Sequence, residues 1–157
     1  MSPEFNQNCF LAKAVNQAQL VCESIGFPSK KNERWRFNQL NFMTKTQFIP
    51  AADIEITSGE IETLRFDNME RLVLVNGRYS KDLSDSIKNG VCVSSLYETA
   101  SHSPAEIEHL LTKIAPFTNQ FFSAQNTAHF PEGILIKIPN KSGSIPNLHI
   151  LNIAAGK

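Results

Sequence analysis

The final third of the chain sets the tightest limit on what it can fold into. Phe121-Phe122-Ser123-Ala124-Gln125-Asn126-Thr127-Ala128-His129-Phe130 reads as a polar, small-residue turn. Two short apolar strands follow, Gly133-Ile134-Leu135-Ile136-Lys137-Ile138-Pro139 and Pro146-Asn147-Leu148-His149-Ile150-Leu151-Asn152-Ile153. An isolated pair of strands is marginal in water. These two therefore either pack on the rest of the chain or open a larger β structure.

The 157 residues suffice for one domain with a sizeable core, and 41% hydrophobic residues, with 11 Phe, supply the material. Lys+Arg and Asp+Glu both number 15. Zero net charge argues against a nucleic-acid binder, which needs a basic surplus, and gives no electrostatic reason to sit on an anionic membrane. Cys9, Cys22 and Cys92 are odd in number and lack CxxC spacing, so a disulfide framework is not expected and a reducing cytoplasm is the natural location. No apolar run approaches a membrane span, and Met1 onward shows neither a signal peptide nor an Arg-rich transit pattern.

Ser2-Pro3-Glu4 predicts a helix start, and Leu11, Val15, Ala18, Cys22 and Ile25 mark one face up to Gly26 and Pro28. Trp35, Phe37, Leu40 and Phe42 crowd the next segment, expected to be a helical turn or short extended piece docked on that helix. From Ile54 the period becomes two. Ile54/Ile56, Leu64/Phe66 and Leu72/Leu74 predict a β meander, with Asn76-Gly77 as a hairpin turn and Val91-Cys92-Val93 as a further strand. A second helix is expected from Ser103-Pro104-Ala105-Glu106, burying Ile107, Leu110, Leu111 and Ile114. A third helical piece is placed over Phe117 to Ala124. The fold class is α+β.

Few residues suggest chemistry. His102, His109, His129 and His149 form no HxH, HExxH or Cys/His ligand spacing and read as surface or satisfied core histidines. Cys92, between two valines, reads as a small core hydrophobe rather than a nucleophile. There is no GxSxG, P-loop or GxGxxG motif. Lys30, Lys31, Arg34 and Arg36 surround Trp35, the only tryptophan. A solvated face beside a docked aromatic explains this patch; an interaction surface anchored by Trp35, Arg34 and Arg36 is the sharper alternative. No catalytic, cofactor-binding or metal-ligating residue is assigned.

Three segments together resemble a known family. Gly26-Phe27-Pro28-Ser29-Lys30-Lys31-Asn32-Glu33-Arg34-Trp35-Arg36-Phe37-Asn38-Gln39-Leu40 is similar to a Trp-centred stretch of SufD-type proteins, scaffold components of the SUF iron–sulfur cluster assembly system. Leu72-Val73-Leu74-Val75-Asn76-Gly77-Arg78-Tyr79-Ser80-Lys81-Asp82-Leu83-Ser84 resembles their hairpin. Phe122 to His129, Gly133 to Pro139 and Pro146 to Leu151 resemble the turn and strands that follow it. Asn38, Gln39, Gln125 and His129 depart from the usual residues. The SufB paralogue shares the later pattern, and the Trp35 stretch favours SufD.

The resemblance implies an N-terminal α+β domain over residues 1–126 and, over 127–157, the first strands of a parallel β-helix cut short. It implies a non-catalytic, protein-interaction role beside SufB-like and SufC-like (ATPase) partners. It implies no cofactor in this chain, the cluster being handled by regions outside it; nucleic acid and membrane are not expected as partners on the charge balance above. An uncapped Ile150 edge predicts pairing with a second copy as a homodimer, or loss of order after about Pro139. Two other readings compete: a stand-alone adaptor domain using the Trp35 patch, and a small β-solenoid acyltransferase with His129 or His149 as base.

Overall fold

Helix formation begins where small and apolar residues recur at steps of three and four. In the computed structural model, which describes residues 10–49, 51–129, 132–140 and 143–156, α1 spans Phe10–Ile25 and buries Leu11, Ala14 and Ala18. The expected start at Ser2-Pro3-Glu4 and the first cysteine, Cys9, lie outside the described residues. Gly26 ends α1: at φ +69° its N–H bonds the Cys22 carbonyl at 2.9 Å, the left-handed cap that glycine adopts without a Cβ penalty. Ile25, expected on the buried face, is exposed.

The chain divides into two compact units, Met1–Pro50 with Ala100–Phe130, and Ala51–Thr99 with Pro131–Lys157. The first unit holds α1, α2 (Asn41–Lys45), the end of α3 (Leu96–His102), α4 (Ala105–Glu108) and α5 (Phe121–His129). Its core forms where Ala18, Phe117, Ala124 and Ala128 meet, with Val21 and Cys22 against them. Alanines on both α1 and α5 let the two helices approach closely. The residues expected as a turn are helix, and the helical piece expected over Phe117 to Ala124 coincides with the start of α5. Thr127 satisfies its hydroxyl on the Ser123 carbonyl at 3.0 Å, so its polar side chain does not divert the backbone.

The second predicted helix is shorter than expected. α4 stops after Glu108, Thr112 takes φ +68°, and Leu110 and Ile114 are exposed, leaving Ile107 as the buried anchor. α3, which precedes it, was not anticipated.

In the second unit, β1 (Glu70–Val75) is the centre of a three-stranded sheet in the order β2–β1–β5. Leu72 and Val73 point to opposite faces and both are fully buried, so β1 is covered on each side. β2 (Arg78–Ser80) pairs antiparallel with it through Asn76-Gly77. Both turn residues have positive φ, +49° and +79°, as a two-residue type I′ hairpin requires. β5 (Leu148–Ile153) pairs parallel with β1, from Glu70 opposite Leu148 to Val75 opposite Ile153. β4 (Ile134–Lys137) pairs antiparallel with β3 (Cys92–Ser95). The two terminal strands thus each find a partner upstream.

The alternation before β1 does not make strands. Ser58–Leu64 is a 3₁₀ helix burying Ile61, while Ile54, Leu64 and Phe66 are exposed. The Glu60 carboxylate accepts hydrogen bonds from the Thr57 N–H at 2.8 Å and hydroxyl at 2.7 Å, a capping arrangement that outweighs a weak two-residue period. Cys92, expected as a core residue, is exposed at the start of β3 opposite Lys137.

Candidate interaction site

The Trp35 segment is built by local side-chain bonds. Asn32 caps the 3₁₀ turn Glu33–Trp35, its Oδ1 accepting from the Arg34 N–H at 3.3 Å, and Ser29 Oγ accepts from the Lys31 N–H at 3.3 Å. These turns carry Trp35 onto α5. Its ring centroid lies 4.7 Å from that of Phe122. Phe27 meets Phe121 edge-on at 5.2 Å and Phe122 at 5.9 Å, and Phe121 and Phe122 meet at 5.4 Å. Near-perpendicular contacts at these separations are the favoured geometry for aromatic pairs. Phe37 and Phe42 do not join the cluster. Phe37 is 90% exposed, with the Arg36 guanidinium 5.6 Å above its ring.

The aromatic cluster floors a cleft of ≈ 410 Å³ bounded by Ile25–Ser29, the Lys31–Trp35 turn and Asn119–Phe122. Lys31 and Arg34 stand on its rim, and no carboxylate lines it. Of the three expected interaction residues, Trp35 and Arg34 line the cleft, whereas Arg36 lies outside it on Phe37. Beneath the floor the Cys22 thiol points at the Phe121 carbonyl, 4.0 Å away, and burial, aided by the Glu23 charge, pushes its pKa up. That shift keeps the thiol protonated and a poor nucleophile.

Three of the histidines make local contacts. His109 and His129 each place Nδ1 on the carbonyl four residues earlier, at 2.8 and 3.1 Å, and His149 packs edge-on against Phe66. Among the described residues, no group of three or more His, Cys, Asp or Glu is placed to hold a metal ion, and no helix is long and apolar enough to cross a membrane. The cleft lining itself contains no imidazole, thiol or carboxylate.

A second cluster, unforeseen from sequence, surrounds β1. Arg65 grips Asp85 with two 2.9 Å bonds, and Asp85 also accepts the Arg71 N–H at 2.7 Å. The Arg65 bonds come first in holding the Asp85 carboxyl below its ordinary range, with the Arg71 N–H assisting against partial burial. The Arg71 side chain is buried and donates to the Ile61 carbonyl at 2.8 Å. This network fastens the 3₁₀ helix and the Asp85 loop to β1.

Aromatic faces beside Arg and Lys side chains are a chemistry that recurs at protein-recognition surfaces. A family model described as the SufBD protein N-terminal region matches residues 6–144, which include the whole cleft and the Asn76-Gly77 hairpin. The chain belongs to the SufBD family. It is similar to an iron–sulfur cluster assembly SufBD family protein of Synechocystis, with 24% identity over 144 residues. That match covers 87% of this chain and 32% of the relative, so the chain spans about a third of the relative's length.

Proposed function

We propose that this chain is the N-terminal portion of a SufD-like scaffold in iron–sulfur cluster assembly. It acts without catalysis of its own, through contacts within a complex of SufB-like and SufC-like (ATPase) proteins, and the cluster is handled by residues outside it. The observation that carries this reading is the family match over residues 6–144. The Trp35 stretch inside it favours the SufD over the SufB branch. The two described free thiols, Cys22 and Cys92, suit a cytoplasmic, reducing setting. In this reading β5, an edge strand with Ile150 exposed, precedes the rungs of a parallel β-helix.

Affinity purification of the natural full-length protein from its own cells tests the proposal. SufB-like and SufC-like proteins are expected to co-purify with it in fixed ratio. Their absence, with the tagged protein folded, overturns the role.

A further inference from the structure

We infer that the Trp35 cleft is the docking site for an acidic peptide segment of a partner protein, one apolar side chain of which enters the cleft. The inference rests on the proposal that the chain works through protein contacts, and it adds the chemistry of the contact. Phe27, Trp35, Phe121 and Phe122 give a floor of edge-to-face rings, on which an aliphatic or aromatic side chain gains apolar contact without stranding a polar group. The cleft volume, ≈ 410 Å³, lies within the usual range for specific sites of about 300–1,000 Å³.

Charge decides the rest of the ligand. Lys31 and Arg34 line the cleft and no carboxylate does. Over residues 29–37 the sequence carries Lys30, Lys31, Arg34 and Arg36 against the single acid Glu33, although the whole chain is neutral. Such a rim attracts glutamates and aspartates flanking the anchored side chain and repels a basic segment. The four rings of the floor offer contact to an apolar side chain that inorganic phosphate, held by charge alone, leaves unused.

Trp35, the only tryptophan, sits in the floor, so its emission reports occupancy directly. The full chain is titrated with a synthetic peptide of glutamates flanking one leucine, and with a twin carrying lysines instead. A saturable blue shift with the glutamate peptide alone is expected, weakening as salt is raised. The Lys31→Glu/Arg34→Glu variant, altered at two exposed positions, is expected to bind at least about tenfold more weakly with unchanged circular dichroism. No shift with the glutamate peptide, or equal shifts with both peptides, overturns the inference. So does a shift seen with phosphatidylserine vesicles and not with the peptide, which assigns the cleft to a lipid surface. A protein that ignores the peptide yet co-purifies with SufB-like and SufC-like partners overturns the docking inference and leaves the scaffold role standing. Peptide binding without that co-purification does the reverse.

Discussion

Arg71 on β1 and His149 on β5 stand directly opposite one another in the parallel pair, and each carries a buried nitrogen with no hydrogen-bond partner among the described residues, Nε and Nδ1. A buried polar atom left unpaired costs about 1–3 kcal/mol. His149→Phe removes one such atom and keeps a ring against Phe66. The variant is expected to unfold at the same or a higher denaturant concentration than the parent, by up to about 1 kcal/mol in stability. A clear loss of stability in the same titration would show that Nδ1 has a partner.

Asp85 makes stability depend on acid. Its folded pKa lies below the ordinary 3.8, so its contribution is fully present above that value and disappears as pH falls through the lower, folded value. Asp85→Ala also leaves the Arg71 N–H unpaired and should cost about 1–3 kcal/mol at pH 7. Urea midpoints of parent and variant measured from pH 7 down to pH 2 should converge at the acid end. Parallel curves would exclude this carboxylate as the source.

Asn76 serves two tasks. It turns the β1–β2 hairpin at positive φ, and its side-chain amide grips Ala155, donating to the carbonyl at 2.8 Å and accepting the N–H at 2.9 Å. Asn76→Gly relieves the turn strain and loses the side-chain bonds to Ala155 and Ala52, whereas Asn76→Ala loses the same bonds and keeps the strain. Alanine should therefore be the less stable of the two, by about 1 kcal/mol. Thermal melts of both proteins check the order, and equal melting temperatures would show that the turn stores no strain.

The described thiols differ in environment. Cys92 is exposed, while Cys22 is half-buried and burial raises its pKa above that of an ordinary thiol. In a Cys9→Ser background, a disulfide reagent at pH 8 should label one thiol per chain quickly and a second slowly, with mass spectrometry placing the fast one at Cys92. Fast labelling at Cys22 would contradict its packing against α5.

Legibility in the sequence followed the strength of the local signal. α1 was readable because a sustained three-and-four step needs no tertiary help, and the hairpin because Asn-Gly selects one turn type. Ile54/Ile56 and Leu64/Phe66 misled because two-residue alternations are too short to specify a strand, while the Thr57–Glu60 capping pair, present in the same window, marked the 3₁₀ helix. α5 was legible only at its start, within the helical piece expected over Phe117 to Ala124; Asn126 and Thr127, residues common in turns, masked its second half, where the Thr127 hydroxyl in fact bonds the Ser123 carbonyl inside the helix. Trp35 and Arg34 were visible as a patch. The cleft itself was not, since its floor joins Phe27 to Phe121 and Phe122 through packing between distant segments. The Arg65–Asp85–Arg71 network is non-local in the same way.

The grip of Asn76 on Ala155 joins residues 79 apart. On a translating ribosome, the β1–β2 hairpin emerges long before the strand that completes its sheet. Until Leu148–Ile153 is released from the exit tunnel, one rim of β1 offers unpaired amides and carbonyls beside Leu72 and Val73, which are apolar and not yet enclosed. Nascent-chain holding factors would have their strongest claim on this protein in that interval. Synonymous codon changes between residues 76 and 148 would lengthen or shorten it without altering a single side chain.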